Sequence, residues 1–175
     1  MTVERNTTAC FSGHRYYSGA EADEARLAAA VEAAWRAGYR TFISGMAPGF
    51  DLAAAEAVER LRAALCAGEG ADSRERNEIK LIAAVPFAGQ AAGWSADDGV
   101  RYERLIEAAD EVRILEHGYS HGCYYRRDEW MVERSGRLIC WFDGKKNGGT
   151  RYTVRCAMKH GLEIVNVFRA PDTLF

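Results

Sequence analysis

No run of apolar residues in this chain approaches the roughly 20 that a bilayer-spanning helix needs, and no apolar core of a signal peptide marks its first residues. The expectation is a cytoplasmic protein with no membrane partner. An excess of positive charge is missing too: 23 Lys and Arg face 25 Asp and Glu, for a net charge of -2 and a pI near 6.1. That balance argues against nucleic acid as a partner, although it leaves room for a local basic patch. The five cysteines form an odd set without a C-x-x-C pair, which speaks against a disulfide framework. Neither G-x-G-x-x-G nor G-x-x-x-x-G-K-[ST] occurs, and there is no internal repeat or low-complexity tract.

What the chain does have is 48% hydrophobic residues over 175 positions, which suits one domain, 1-175, with a sizeable core. Short β-like runs alternate with helical ones. The β-like runs are Thr7 to Phe11, Tyr39 to Ile43, Ile79 to Val85, Glu111 to Leu115, Leu138 to Phe142 and Leu162 to Phe168. Helical spacing covers Ala22 to Ala37, Leu52 to Leu65, Val100 to Ala109, Tyr124 to Arg134 and Thr150 to Lys159, and Gly68 to Glu78 reads as an exposed loop. The alternation predicts an α/β fold: a Rossmann-like, doubly wound, mostly parallel sheet of about six strands with helices on both faces.

The chain is organised around Ser44-Gly45-Met46-Ala47-Pro48-Gly49-Phe50-Asp51, where a strand turns sharply into an alanine-rich helix. Glycine lets the backbone take positive φ and lets a ligand approach closely, and Asp51 stands where an N-cap is expected. Free N–H groups and the positive end of the helix would then suit a phosphate; the alternative is a tight turn with nothing bound. Two further turns of the same character, Ser12-Gly13-His14-Arg15 and Asp143 to Thr150 with Gly148 and Gly149, also follow strands, and Pro86-Phe87 marks a fourth strand end. A doubly wound sheet binds its ligand beyond the carboxyl ends of its strands, where these turns fall. Thr150 is expected to cap the last crossover helix.

Other constellations are more ambiguous. His117, His121 and Cys123 lie close in sequence but offer no fourth ligand, so no metal is expected. Arg126 and Arg127, with Tyr124 and Tyr125, could hold phosphate and stack a base, or form a solvated helix start. Trp35, Trp130 and Trp141 sit in periodic or apolar segments and read as core, whereas Trp94 suits either a lid or surface packing.

Taken together, Ser12-Gly13-His14-Arg15, Ser44-Gly45-Met46 with Gly49 and Asp51, Pro86-Phe87, Arg127 with Trp130-Met131-Val132, and Asp143-Gly144 with Gly148-Gly149-Thr150 resemble the SLOG superfamily, in its YpsA-like branch. The likeness runs from about Ala9 to Phe168. It implies a sheet shared with the DNA-processing protein DprA and the LOG phosphoribohydrolases, and a nucleotide or nucleotide-derived ligand at Ser12 to Arg15, Ser44 to Met46, Gly49, Asp51, Pro86, Phe87, Arg127 and Gly148 to Thr150; no other cofactor is expected. Met46 stands where DprA-like members have another Gly, and Asp128 where Asn is expected. The LOG enzymes carry G-G-x-G-T-x-x-E, and here Thr153 takes the Glu position. A threonine supplies no carboxylate for acid–base work, so the resemblance favours binding or sensing over hydrolysis unless Asp128 or Glu129 substitutes. A DprA-like single-stranded DNA module is a further alternative, and a homo-oligomer remains open.

Overall fold

The computed structural model describes residues 4–67 and 78–169. Strands β1 (Thr8–Gly13), β2 (Thr41–Ser44), β3 (Lys80–Val85), β4 (Glu111–Ile114), β5 (Arg137–Trp141) and β6 (Glu163–Asn166) form one sheet in the order β4-β3-β2-β1-β5-β6. Every neighbouring pair is parallel. The chain therefore winds outward from β1 in one direction, then crosses back to place β5 on its other side. That reversal puts the switch point between β1 and β5, and parallel pairing puts every strand's carboxyl end on one edge.

The helices are α1 (Glu21–Arg36), α2 (Phe50–Ala67), α3 (Ala96–Ala108), α4 (Cys123–Glu133) and α5 (Gly149–Lys159). Because side chains alternate along a strand, the sheet feeds two cores. Ala9 and Phe11, Leu81 and Ala83, and Ile139 and Trp141 meet Leu27 and Val31 of α1, the buried face of α2, and Leu105 of α3. The residues between them, Cys10, Ile82, Leu138 and Cys140, meet Met131 and Val132 of α4 and Val154 and Ala157 of α5. Burial on both faces explains why these strands read as continuous apolar runs rather than alternating ones. In α2, Ala53, Ala54, Ala55 and Ala57 are all buried, so small side chains let this helix sit close to the sheet and to its neighbours.

Several boundaries differ from the sequence reading. β1 runs on through Ser12 and Gly13, which pair with Cys140 and Trp141 of β5, so these two residues end a strand instead of opening a turn. Gly13 is tolerated there because Phe50 lies against it, where an added Cβ would come within 2.4 Å. α2 starts at Phe50, which places Asp51 inside the first turn rather than at the N-cap. α5 starts at Gly149 with Gly148 preceding it at φ 101, so Thr150 is also a first-turn residue and caps nothing. α3 begins four residues earlier than its apolar spacing suggests because Ser95 accepts a hydrogen bond from the Asp98 amide at 3.2 Å, a capping signal legible as Ser-x-x-Asp. The loop expected over Gly68 to Glu78 lies, but for Glu78, outside the described residues.

Candidate functional site

At the carboxyl edge of the sheet the turns enclose a cleft of about 510 Å³. Ser12, Gly13, His14 and Arg15 reach it from the end of β1, Asp51 from α2, Arg127 from α4, and Gly148, Gly149 and Thr150 from α5. Three helix starts thus meet at one cleft; at α2 the Phe50, Leu52 and Ala53 amides are already taken by the His14, Ala47 and Gly49 carbonyls, and at α4 the Cys123 amide by the Ser120 carbonyl. The other expected site residues, Ser44, Gly45, Met46, Gly49, Pro86 and Phe87, are not among its lining residues.

These six form the layer behind it. Ser44 Oγ donates to the Asp51 carbonyl at 2.8 Å and accepts the Met46 amide at 3.1 Å, which pins the turn to the helix. Met46 is fully buried at φ 56, a left-handed conformation that glycine adopts without strain and a side chain rarely does. A Cβ on Gly49, at φ 81, would meet the Arg15 carbonyl oxygen at 2.5 Å, and one on Gly45 would meet Arg127 Nη1 at 2.0 Å. Both glycines therefore make room for other parts of the protein. Phe87 packs edge-on against Tyr119 and Tyr124, supporting the loop that forms one wall.

A buried charged trio makes the floor. Arg127 donates from Nε to Asp128 Oδ1 at 2.7 Å and from Nη1 to the Gly45 carbonyl, and its Nη1 lies 4.0 Å from Asp51 Oδ2. Asp128 Oδ2 accepts from Thr153 Oγ1 at 2.9 Å. With two carboxylates to one guanidinium the trio carries a surplus negative charge, and the strain falls on Asp51, which is 5% exposed. Burial raises its pKa to about 6, with Arg127 pulling it back and Asp128 adding to the rise. Its Oδ1 has no hydrogen-bond partner among the described residues.

This shift has a definite sign. The folded state holds a proton on Asp51 up to about pH 6, whereas the unfolded chain loses it near 3.8, so stability is fully present below pH 3.8 and falls as pH rises to about 6. The loss amounts to about 3 kcal/mol at most. Asp51→Asn should abolish this slope and melt about 5–10 °C above the parent chain at pH 8. Equal slopes for the two proteins across pH 4–6, followed by calorimetry, would refute it.

The rim is built from groups that the sequence reading only partly included. Asp143 ties the β5 turn to the β1 turn: its Oδ2 accepts from the Tyr16 hydroxyl at 2.6 Å, its Oδ1 accepts the Lys145 amide at 2.9 Å, and His14 Nε2 lies 2.9 Å from that oxygen. His14 stacks on Tyr16, and burial holds its pKa below the ordinary histidine value against the pull of Asp143. Arg15 lies over the Tyr124 ring and Lys145 over Tyr16, both cations exposed at the mouth. Tyr16, Tyr119 and Tyr125, 52%, 69% and 45% exposed, complete it. Loop tyrosines such as Tyr16 and Tyr119 carry no sequence pattern of their own. Glu129 faces away and accepts from the Tyr152 hydroxyl, while Trp94 packs on Tyr102 of α3. Among the described residues, no three of His, Cys, Asp and Glu converge as a metal site requires, and no helix is long and apolar enough to cross a membrane.

Comparison with known proteins agrees with this architecture. The chain is 31% identical over 130 residues to the SPbeta prophage-derived protein YoqJ of Bacillus subtilis (strain 168), covering 67% of this chain and 69% of that protein. It is 32% identical over 94 residues to a UPF0398 protein of Bacillus thuringiensis (strain Al Hakam), a match covering 53% of this chain and 50% of that protein, so it spans about half the length of this relative. Among solved structures, DprA from Streptococcus pneumoniae superposes with a TM-score of 0.59 at 16% identity, over 91% of this chain and 49% of that one. DprA from Helicobacter pylori, a structure concerned with that protein's single-stranded DNA binding mode, gives 0.60 at 14% identity, over 91% and 64%. At such identities the likeness is one of fold, yet it leaves the case against nucleic acid resting on net charge alone. The YspA SLOG family matches residues 24–163, from α1 to the start of β6, and the chain is accordingly a member of the YpsA family of SLOG proteins.

Proposed function

We propose that the cleft binds a nucleotide or nucleotide-derived ligand through its phosphate. The convergence of the α4 and α5 starts with the exposed cations Arg15 and Lys145 at one cleft carries this reading, because these helix starts favour an anion and the cations at the mouth counter the negative floor. Exposed tyrosines at the rim offer flat apolar faces to a base. Asp51 Oδ1, buried and without a partner, is suited to accept from a ligand hydroxyl or amine.

Hydrolysis of the ligand is the second reading, and one contact favours it. Thr153, at the position where LOG enzymes carry Glu, donates to Asp128, so a carboxylate lies one hydrogen bond from that position and lines the cleft. Both Asp128 oxygens are already engaged, which favours binding over turnover.

The test is thermal stabilisation by a panel of nucleoside mono- and diphosphates, with the ligand recovered and analysed afterwards. At a hundredfold excess over Kd, a ligand should raise the Tm by about 5–10 °C and return intact. Recovery of free base would replace binding by hydrolysis. Arg15→Ala and Lys145→Ala, both at exposed positions, should keep the parent Tm without ligand and lose about tenfold in affinity. Unchanged ligand shifts in both variants would remove the phosphate from this cleft.

A further inference from the structure

Between α4 and α5 lies a second recess, of about 820 Å³, which borders the cleft at Tyr125 and Gly148. Arg151, Arg155 and Lys159 stand along it at four-residue intervals, one row on the surface of α5 with a step of about 6 Å. Lys146 adds a charge at the end nearer the cleft. The recess also holds two carboxylates, Glu129, which accepts from the neutral Tyr152 hydroxyl, and Glu133, which lies 3.5 Å from Arg134, against four cations. Arg155 and Lys159 are exposed, and neither is held in an ion pair among the described residues.

Like charges four residues apart destabilise a helix, and Arg151 in the first turn opposes the helix dipole as well. Lys159 in the last turn suits the dipole and Glu129 and Glu133 line the same recess, yet its four cations outnumber the two carboxylates, which points to an anion from outside. A step of about 6 Å is close to the spacing of successive phosphates along an extended single strand. Beside the row, the rings of Tyr125 and Tyr152 lie 4.5 Å apart between centroids, and Tyr125 is 45% exposed, as a base-stacking platform requires.

We infer that this recess is a track for a single-stranded nucleic-acid backbone, leading the strand away from a nucleotide held in the cleft. Arg151, Arg155 and Lys159 take successive phosphates, and the tyrosine pair takes a base. The inference rests on the cleft reading only for the anchored end of the strand. A net charge of -2 is no obstacle, since phosphate contacts depend on where cations are concentrated.

The experiment compares thymidine monophosphate with a fluorescein-labelled oligothymidylate of about ten nucleotides, within the span of known single-strand sites. The proteins are the full chain and its double variant Arg155→Ala/Lys159→Ala, whose exposed positions leave the fold unaffected. The oligonucleotide should bind the parent more tightly than the mononucleotide does. In the double variant its affinity should fall about tenfold, and the slope of log affinity against log salt should flatten by about 1.4. The thermal shift produced by the mononucleotide should be the same in both proteins. An oligonucleotide that binds no tighter than the mononucleotide, or is indifferent to the double variant, overturns the track and leaves the cleft reading standing. Oligonucleotide binding lost in the variant, with no mononucleotide effect in either protein, supports the track and removes the cleft reading. Equal competition by polyglutamate overturns the strand assignment in favour of an acidic protein partner, and absence of binding by either probe overturns both.

Discussion

Gly45→Val should unfold about 10 °C below the parent chain. A Cβ at residue 45 would lie 2.0 Å from Arg127 Nη1, 2.5 Å from its Cζ and 2.7 Å from Asp51 Oδ2. The end of a long side chain ordinarily swings aside at little cost. This guanidinium cannot, because it is 5% exposed and bonded to Asp128 and to the Gly45 carbonyl itself. Displacing it breaks a buried ion pair, which costs about 3–5 kcal/mol, or about 10 °C for a domain of this size. Gly99→Ala is the matched control: it lies in α3 with nothing within 4 Å of an added Cβ, and should be neutral or stabilising by up to about 1 kcal/mol. A Gly45→Val protein that melts with the parent would mean that the guanidinium has another place to go.

Arg127→Ala should cost as much, and its effect should depend on pH. The sequence alone suggests that Arg127 serves ligand charge without serving stability, since an arginine at an exposed helix start has little to hold. Its burial between Asp51 and Asp128 gives it a structural task that the sequence does not show. Removal leaves two buried carboxylates facing each other, so each resists ionisation and the folded state retains protons that the unfolded chain releases. Stability then falls as pH rises, and the deficit of about 3–5 kcal/mol expected near pH 8 should shrink toward pH 5. Arg127→Lys should recover only part of it, because a single ammonium cannot reach Asp128 and the Gly45 carbonyl from two directions at once. Adding Asp128→Asn to Arg127→Ala should restore stability without restoring ligand affinity. If Arg127→Ala melted like the parent at pH 8 while nucleotide affinity fell, the residue would be a ligand group alone.

The number and order of the strands, the two-faced burial of β1, β3 and β5 and the gathering of the glycine turns at one edge were all determined by the sequence itself. Each rests on relations over a few residues: apolar runs such as Ile79 to Val85, helical spacing such as Leu27, Val31 and Ala34, and glycines at the ends of strands. Parallel pairing then carried those turns to a common edge without further information. Element boundaries were less secure where a local contact overrode the pattern, as at Gly13 against Phe50 and at the Ser95 cap. Only the tertiary structure decided who occupies the space beside each turn. Gly45 admits a guanidinium from a residue 82 positions away, so the same glycine that suggested a ligand serves packing. Asp51 moved from helix cap to buried carboxylate because Arg127 and Asp128 arrive from α4, the helix of the crossover between β4 and β5. The same holds for the basic row on α5. Its three cations are plain in the sequence, but their gathering with Lys146 in one recess, where they outnumber Glu129 and Glu133, is a property of surfaces, and a sum of charges does not contain it.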